Sequence, residues 1–211
     1  MNLEDAIEHY KGFFNEKINK YGAVPQGVDY NGTEAQCLRF EQLAKIIDST
    51  RAFALLDFGC GYGGLLDFLQ GKGWSFQYLG YDMLEKMIAA ARASHADAAN
   101  TRFVSDEAEL HPCEYAIAGA IFNNKFEAPG EEWKAYTLDV LQRLDSLCTR
   151  GFSFNMLSSY SDADRMSLRP DLYFADPLFY FDHCKRNFSR DVALLHDYGL
   201  YDFTVLVRKG A

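Results

Sequence analysis

Residues 55–64 read LLDFGCGYGG, and the rest of the chain is read outward from them. An apolar run that starts at Phe53 ends in the carboxylate of Asp57, and four of the six residues from 59 to 64 are glycine. A short, continuously apolar run bounded by turn residues predicts a strand covered on both faces, as in a parallel sheet. Gly59 and Gly61 then allow a sharp turn with no Cβ in the way. Gly63 and Gly64 lead into LLDFLQGKG (65–73), which predicts a helix with a glycine stop. The N-terminus of that helix offers unpaired backbone N–H groups and a positive dipole to whatever the loop holds.

Downstream the alternation continues. FQYLGYD (76–82) predicts a second buried strand, 84–98 a helix, TRFVSD (101–106) a third strand and EYAIAGAIF (114–122) a fourth. A long helix over 131–147 and a fifth strand, GFSFNML (151–157), follow. Strands alternating with helices predict an α/β fold around a parallel sheet. The last two apolar runs, RDVALLHD (190–197) and YDFTVLVRK (201–209), are too close for a parallel crossover, so they form an antiparallel hairpin. Residues 158–188 are expected as a lid insertion over the C-terminal edge of the sheet, with Asp176-Pro177 opening a short aromatic helix. Upstream, apolar residues at Leu3, Ile7, Tyr10, Phe14 and Ile18 predict an amphipathic helix over 3–20. Thr33 is the expected N-cap of a second helix reaching about residue 48. Residues 1–50 are thus N-terminal helices packing on a core domain over 51–211.

The 211 residues are enough for one sizeable core, and the net charge of -9 with no dense Lys/Arg cluster argues against nucleic acid as a partner. No apolar run reaches the roughly 20 residues a membrane-spanning helix needs. The N-terminal order is not that of a signal peptide, so a cytoplasmic protein with a small-molecule substrate is expected. The five cysteines are widely spaced and odd in number, and neither they nor the five histidines show metal-ligand spacing.

The glycine loop satisfies two patterns. Gly59, Gly61 and Gly64 fit G-x-G-x-x-G, which cradles a dinucleotide pyrophosphate; Asp57, Gly59, Gly61 and Gly63 fit D-x-G-x-G-x-G, which receives S-adenosylmethionine (SAM). A carboxylate at Asp57 is repelled by pyrophosphate and attracted by a sulfonium and an ammonium. Asp82, ending the second strand, can accept two hydrogen bonds from a ribose diol, and Asp106, ending the third, can accept from an adenine amine.

With LLDFGCGYG, YLGYD, FVSD and EYAIAGAIFN in this order, residues 53–123 resemble the core of the class I SAM-dependent methyltransferases, and with the hairpin the resemblance spans about 51–208. It implies a Rossmann-like methyltransferase fold: a seven-stranded, mostly parallel sheet flanked by helices, in the order 3-2-1-4-5-7-6, with the seventh strand antiparallel. It further implies that Asp57 orders the loop near the methionine ammonium and that Gly59, Cys60 and Gly61 pass under the cofactor, Cys60 as a small apolar spacer. Asp82 would take the ribose hydroxyls, Met83 would pack on the adenine, and Asp106 with Glu107 would flank the adenine edge. Asn123 would face the methionine moiety or the acceptor. Arg39, which shares a helical face with Gln36, is the candidate partner for the methionine carboxylate.

Methyl transfer is an in-line displacement that needs alignment more than a base. Candidates at the reacting end are Asn123, Tyr160 and His196, with Asn124, Ser158, Ser159, Tyr173 and Asp176 near them. Asn123-Asn124 reads equally well as a turn, and His196 as a structural histidine. His111-Pro112-Cys113 precedes the fourth strand and falls at the wrong end of the sheet. FNNKF after that strand departs from the Asn/Asp-Pro-Pro-aromatic turn of base-methylating enzymes, and no acidic residue follows it before Glu127, so a metal-independent enzyme acting on an O or N atom is expected. The rivals are an NAD(P)-dependent oxidoreductase, which Asp57 and the hairpin oppose, and a SAM-binding protein without turnover.

Overall fold

The computed structural model describes residues 3–210. Its centre is a seven-stranded sheet in the order β3-β2-β1-β4-β5-β7-β6. The strands are β1 (Phe53–Phe58), β2 (Phe76–Tyr81), β3 (Thr101–Val104), β4 (Cys113–Ala118), β5 (Cys148–Leu157), β6 (Asp191–Leu195) and β7 (Asp202–Arg208). β1 to β5 pair in parallel, and β7 runs antiparallel between β5 and β6. This is the order the family resemblance implies, and the hairpin is the one expected from the sequence.

The helices are α1 (Leu3–Tyr21), α2 (Thr33–Ala44), α3 (Gly64–Gly71), α4 (Glu85–Ser94), α5 (Gly130–Ser146), α6 (Ala163–Leu168) and α7 (Pro177–Asn187). Successive strand residues point to opposite faces, which splits β1 between two cores. Phe53 and Leu55 pack with Leu43 of α2, Leu66 of α3 and Ile88 of α4; Leu56 and Phe58 pack with Leu141 of α5 and Tyr180 of α7. With both faces covered, the parallel strands read as unbroken apolar runs. Asp57 shares the face of Phe53 and Leu55, so its carboxyl is directed into the α2–α3 side.

α1 lies across the C-terminal ends of the strands. Phe14 and Ile18 pack on Tyr62, Leu84 and Met87, while Ala6 packs on Ala128 and Trp133. Helix boundaries move by a few residues from expectation. α2 begins at Thr33, but its N-cap is Gly32, with no side-chain cap, and it ends at Ala44. Asp176 caps α7 by accepting from Leu178 N at 2.9 Å, and Pro177 occupies the first turn.

Two larger differences concern the site. β4 stops at Ala118, short of the expected Phe122, because Ala120 adopts φ +59° and turns the chain. Asn123 therefore lies in a turn beyond the strand. The segment 158–188, expected as one lid, divides. Residues 158–176, with the six-residue α6, stay over the sheet edge; Leu172 bridges to Asn124 in the turn after β4, and Ala175 bridges back to Ser158, which directly follows β5. α7 instead packs on the sheet, where Tyr180 and Cys184 are buried in the main core, and serves as the crossover from β5 to β6.

Candidate active site

The glycine bend is built as its composition demands. Gly59, Gly61 and Gly63 take φ values of +85°, +53° and +91°. L residues with side chains rarely adopt these values. A Cβ on Gly59 would lie 2.3 Å from Ile121 Cγ2, and one on Gly61 would lie 2.8 Å from Val28 Cγ1. The backbone N–H groups of Gly59 and Cys60 both donate to Tyr81 O, at 2.7 and 2.8 Å, which ties the bend to β2.

Two carboxylates close the bend, and both are buried. Asp82 accepts from Gly61 N at 3.0 Å and Leu84 N at 2.9 Å. Burial pushes its pKa up to about 6, and those two N–H groups act against the rise. Asp57 accepts from the Tyr78 hydroxyl at 2.5 Å. Burial pushes it up to about 7; the Tyr78 hydrogen bond lowers it and the charge of Asp82 raises it further. Two such groups held near neutrality are poised for a cationic ligand, which favours their ionised forms.

The bend opens into a cavity enclosing about 1250 Å³ of empty space, part of it the open mouth. Asp57, Gly59, Cys60, Gly61, Asp82, Arg39 and Asn123 all line it, joined by Tyr10, Tyr30 and Gln36. A smaller recess, about 450 Å³ with its open mouth included, shares Tyr10, Gly59, Asp82 and Ile121 with the first and continues between Met83, Phe58, Tyr81, Trp133 and Tyr136. Asp82 thus stands where a polar chamber meets a slot walled by aromatic rings.

Arg39 reaches the cavity floor, but not as a free fork. Its Nη2 donates to Asp202 at 2.5 Å, and its Nη1 to Ala35 O at 3.0 Å. Nε is left buried without a partner among the described residues. Asp202 is fully buried. Burial pushes its carboxyl up, while Arg39 and the Asn155 amide lower it. Asn155 in turn accepts from Ala120 N at 2.7 Å, so the pair fixes the turn after β4.

Residues 55–145 match the family model described as a methyltransferase domain. A relative from Mycobacterium tuberculosis (strain ATCC 25618 / H37Rv), described as "Putative methyltransferase Rv1506c", is 44% identical over 167 residues, which are 79% of this chain and 99% of that protein. The chain belongs to the class I SAM-dependent methyltransferases. Among solved structures, magnesium protoporphyrin IX methyltransferase (ChlM) from Synechocystis PCC 6803 with bound SAM matches this methyltransferase with a TM-score of 0.55 at 18% identity, covering 83% of this chain and 77% of that one. The DhpI complex with SAM and HEP reaches 0.62 at 13% identity over 99% of both chains. These two likenesses concern the fold.

Several residues singled out in the methyltransferase sequence lie elsewhere. Asp106 is exposed and caps its own 3-10 turn, accepting from Ala108 N at 2.9 Å. Glu107 accepts from Tyr81 Oη at 2.9 Å and pairs with Arg143. Neither lines either of these two cavities; β3 ends at Val104 before them. Tyr160 is 68% exposed, and its ring lies 6.0 Å from that of His196 in the β6–β7 turn. Neither is among the residues that line the two cavities, and both side chains are exposed to solvent. Asn123 lines the cavity, yet its Oδ1 accepts from Leu157 N at 3.0 Å, which clamps the turn to β5. Ser158 is buried and accepts from Tyr160 N. His111 is exposed at the opposite end of the sheet.

Sequence reasoning missed Tyr10, Tyr30, Ile121, Arg165, Arg169 and Asp202. Only Asp202 left a signal: a carboxylate at the head of an otherwise apolar strand. Among the described residues no helix is long and apolar enough to cross a membrane, and no group of three or more His, Cys, Asp or Glu is arranged to hold a metal.

Proposed function

We propose that this protein transfers the methyl group of SAM to an O or N atom of a small molecule, without a metal. The observation that carries the reading is the pair of buried carboxylates, Asp57 and Asp82, at a positive-φ glycine bend that opens on a cavity with an orphaned guanidinium Nε. A cationic nucleoside ligand meets both charges, and its carboxylate meets the remaining donor. A pyrophosphate meets two carboxylates and is repelled.

When bound, SAM supplies a methyl group on a positively charged sulfur, which becomes a neutral thioether once its C–S bond has been exchanged for a bond to the acceptor. The chain's residues bind and align. Asp82, fixed by Gly61 N and Leu84 N, presents its carboxylate to the ribose diol. Asp57, steadied by Tyr78, faces the ammonium. Arg39 offers Nε to the methionine carboxylate while Asp202 holds the rest of its guanidinium in place. The slot between Met83, Tyr81, Trp133 and Tyr136 takes the adenine, a role for which Asp106 and Glu107 are badly placed. Tyr10 and Phe14 of α1, with Ile121 opposite, cover the reacting space and exclude water. Burial keeps the Tyr10 and Tyr30 phenols protonated, so they act as hydrogen-bond donors and not as bases.

Thermal unfolding with added SAM, its demethylated product S-adenosylhomocysteine (SAH), or NAD separates the readings. Stabilisation by SAM and SAH alone is expected. Stabilisation by NAD alone refutes the cofactor assignment. Incubation with methyl-labelled SAM and a cell extract then tests turnover, because a binder without catalysis transfers no label.

A further inference from the structure

The cavity is polarised, and its polarity points to the chemical class of the acceptor. On the cofactor side the acidic lining groups are Asp57 and Asp82, and the one cation beside them, Arg39, is paired with buried Asp202. Elsewhere in the lining stand two more cations, Arg165 of α6 and Arg169, the residue that ends that helix. This is an unusual place for two cations in a chain of net charge -9.

Their engagements differ. Arg169 forks onto Asp171, with Nε–Oδ1 at 2.9 Å and Nη2–Oδ2 at 2.7 Å. Arg165 has no carboxylate partner among the described residues; its guanidinium rests on the Tyr201 ring, 4.4 Å from the centroid. Tyr201 is itself steadied by donating to Asp162 at 2.6 Å. Arg165 therefore has a platform that fixes its plane while its N–H donors stay unclaimed. Its charge acts inward, lowering the pKa of buried Asp202 on the floor, while Arg169 feels Asp29, another lining residue. Asp29 is neutralised by Lys17 at 2.8 Å, so it adds no net negative charge.

We propose that the acceptor carries an oxyanion, a carboxylate or a phosphate, which Arg165 receives at the mouth of the cavity with Arg169 beside it. A planar guanidinium with free donors matches such a group bidentately. The acceptor's other end then reaches between Asn124, Leu157 and Leu172 toward the glycine bend. This inference rests on the methyltransferase reading above.

The test is a panel of hydroxy- and amino-carboxylic acids, each beside its neutral amide, and of phosphate monoesters, each beside its neutral triester. Methyl transfer from labelled SAM is measured for the wild type, Arg165→Gln and the exposed control Arg186→Gln, with SAH affinity measured in parallel. Transfer is expected to an anionic member in preference to its neutral partner. Arg165→Gln should raise the KM for that anion about tenfold or more, with SAH affinity and kcat little changed, and Arg186→Gln should change neither. Which arm responds, carboxylate or phosphate, identifies the oxyanion. Transfer only to neutral members, an anion whose KM ignores Arg165→Gln, or SAH binding with no transfer to any anion each overturns the proposal and leaves the cofactor site intact. Absence of SAH binding overturns the reading beneath it.

Discussion

The two ends of the cavity are made differently. The proposed cofactor end is a bend between β1 and α3 in which two buried carboxylates are fixed by backbone N–H groups and a phenol, with side chains excluded by contacts of 2.3 and 2.8 Å. The proposed acceptor end is an exposed segment around a six-residue helix, with Arg165 in the helix and Arg169 just past it, whose partners are a ring and a neighbouring carboxylate. Ligand chemistry that is the same for every substrate of a family can be built into rigid strand ends. Chemistry that changes with the acceptor sits on a connection that can vary without disturbing the sheet. The difference predicts that substitutions at the first end act on cofactor binding or on stability, and those at the second on acceptor choice.

The largest effect is expected behind both ends, at the pair joining α2 to β7. Asp202→Ala leaves the Arg39 charge buried without compensation and frees the turn after β4. Denaturant unfolding should show a loss of about 3–5 kcal/mol. A loss under about 1 kcal/mol would mean that the Arg39 guanidinium reaches water and that the floor is open.

Asp82→Ala removes the carboxylate at the junction of the two cavities. SAM affinity should fall by about 1.5–3 kcal/mol, or roughly 10- to 100-fold or more, measured by calorimetry. An equal loss of acceptor affinity measured in the absence of cofactor would erase the distinction between the ends.

Asn123→Ala removes the acceptor for Leu157 N. An unfolding loss of about 0.5–1.5 kcal/mol is expected, with SAM affinity nearly intact. A large fall in kcat at unchanged stability would instead make Asn123 a catalytic group.

The smallest effect is on pH dependence. Asp57 and Asp82 have folded pKa values raised from 3.8 to about 7 and about 6. The folded chain holds these protons where the unfolded chain has released them, so stability contributed by these groups is full below about pH 4 and declines as pH rises toward 7. A cationic cofactor reverses the preference, so SAM binding near pH 6 should release protons. Repeating the calorimetry in buffers of different ionisation enthalpy would detect this. Proton uptake would contradict the charge assigned to the ligand.

The asymmetry between the ends also explains what the sequence disclosed. The strands and the glycine bend were legible because a doubly covered strand must be apolar throughout, and because positive φ at Gly59, Gly61 and Gly63 leaves little choice of residue; the order of the strands came from the family resemblance. Asp82 was legible because it interrupts an apolar strand at its end. The extent of β4 was not: AIAGAIF continues the apolar pattern through Phe122, and the turn at Ala120 is imposed by Asn155 from another strand. Asp106 looked like a ligand because it ends a strand, but an aspartate in that position serves equally well as the cap of the next turn. Arg39 was read as a forked donor because its partner lies 163 residues away in sequence. Tyr160 and His196 were named for their chemistry, and only the path of the chain after β5 shows that they point away. The aromatic residues near 180 resemble a lid cluster in one dimension and form part of the main core in three.

The most direct test is calorimetric titration of SAH and of NAD into the wild type and Asp82→Ala near neutral pH. The proposed reading predicts saturable SAH binding, weakened at least tenfold by the substitution, and no NAD binding. NAD binding without SAH binding, or SAH affinity indifferent to Asp82→Ala, would contradict the placement of a cationic nucleoside at the bend.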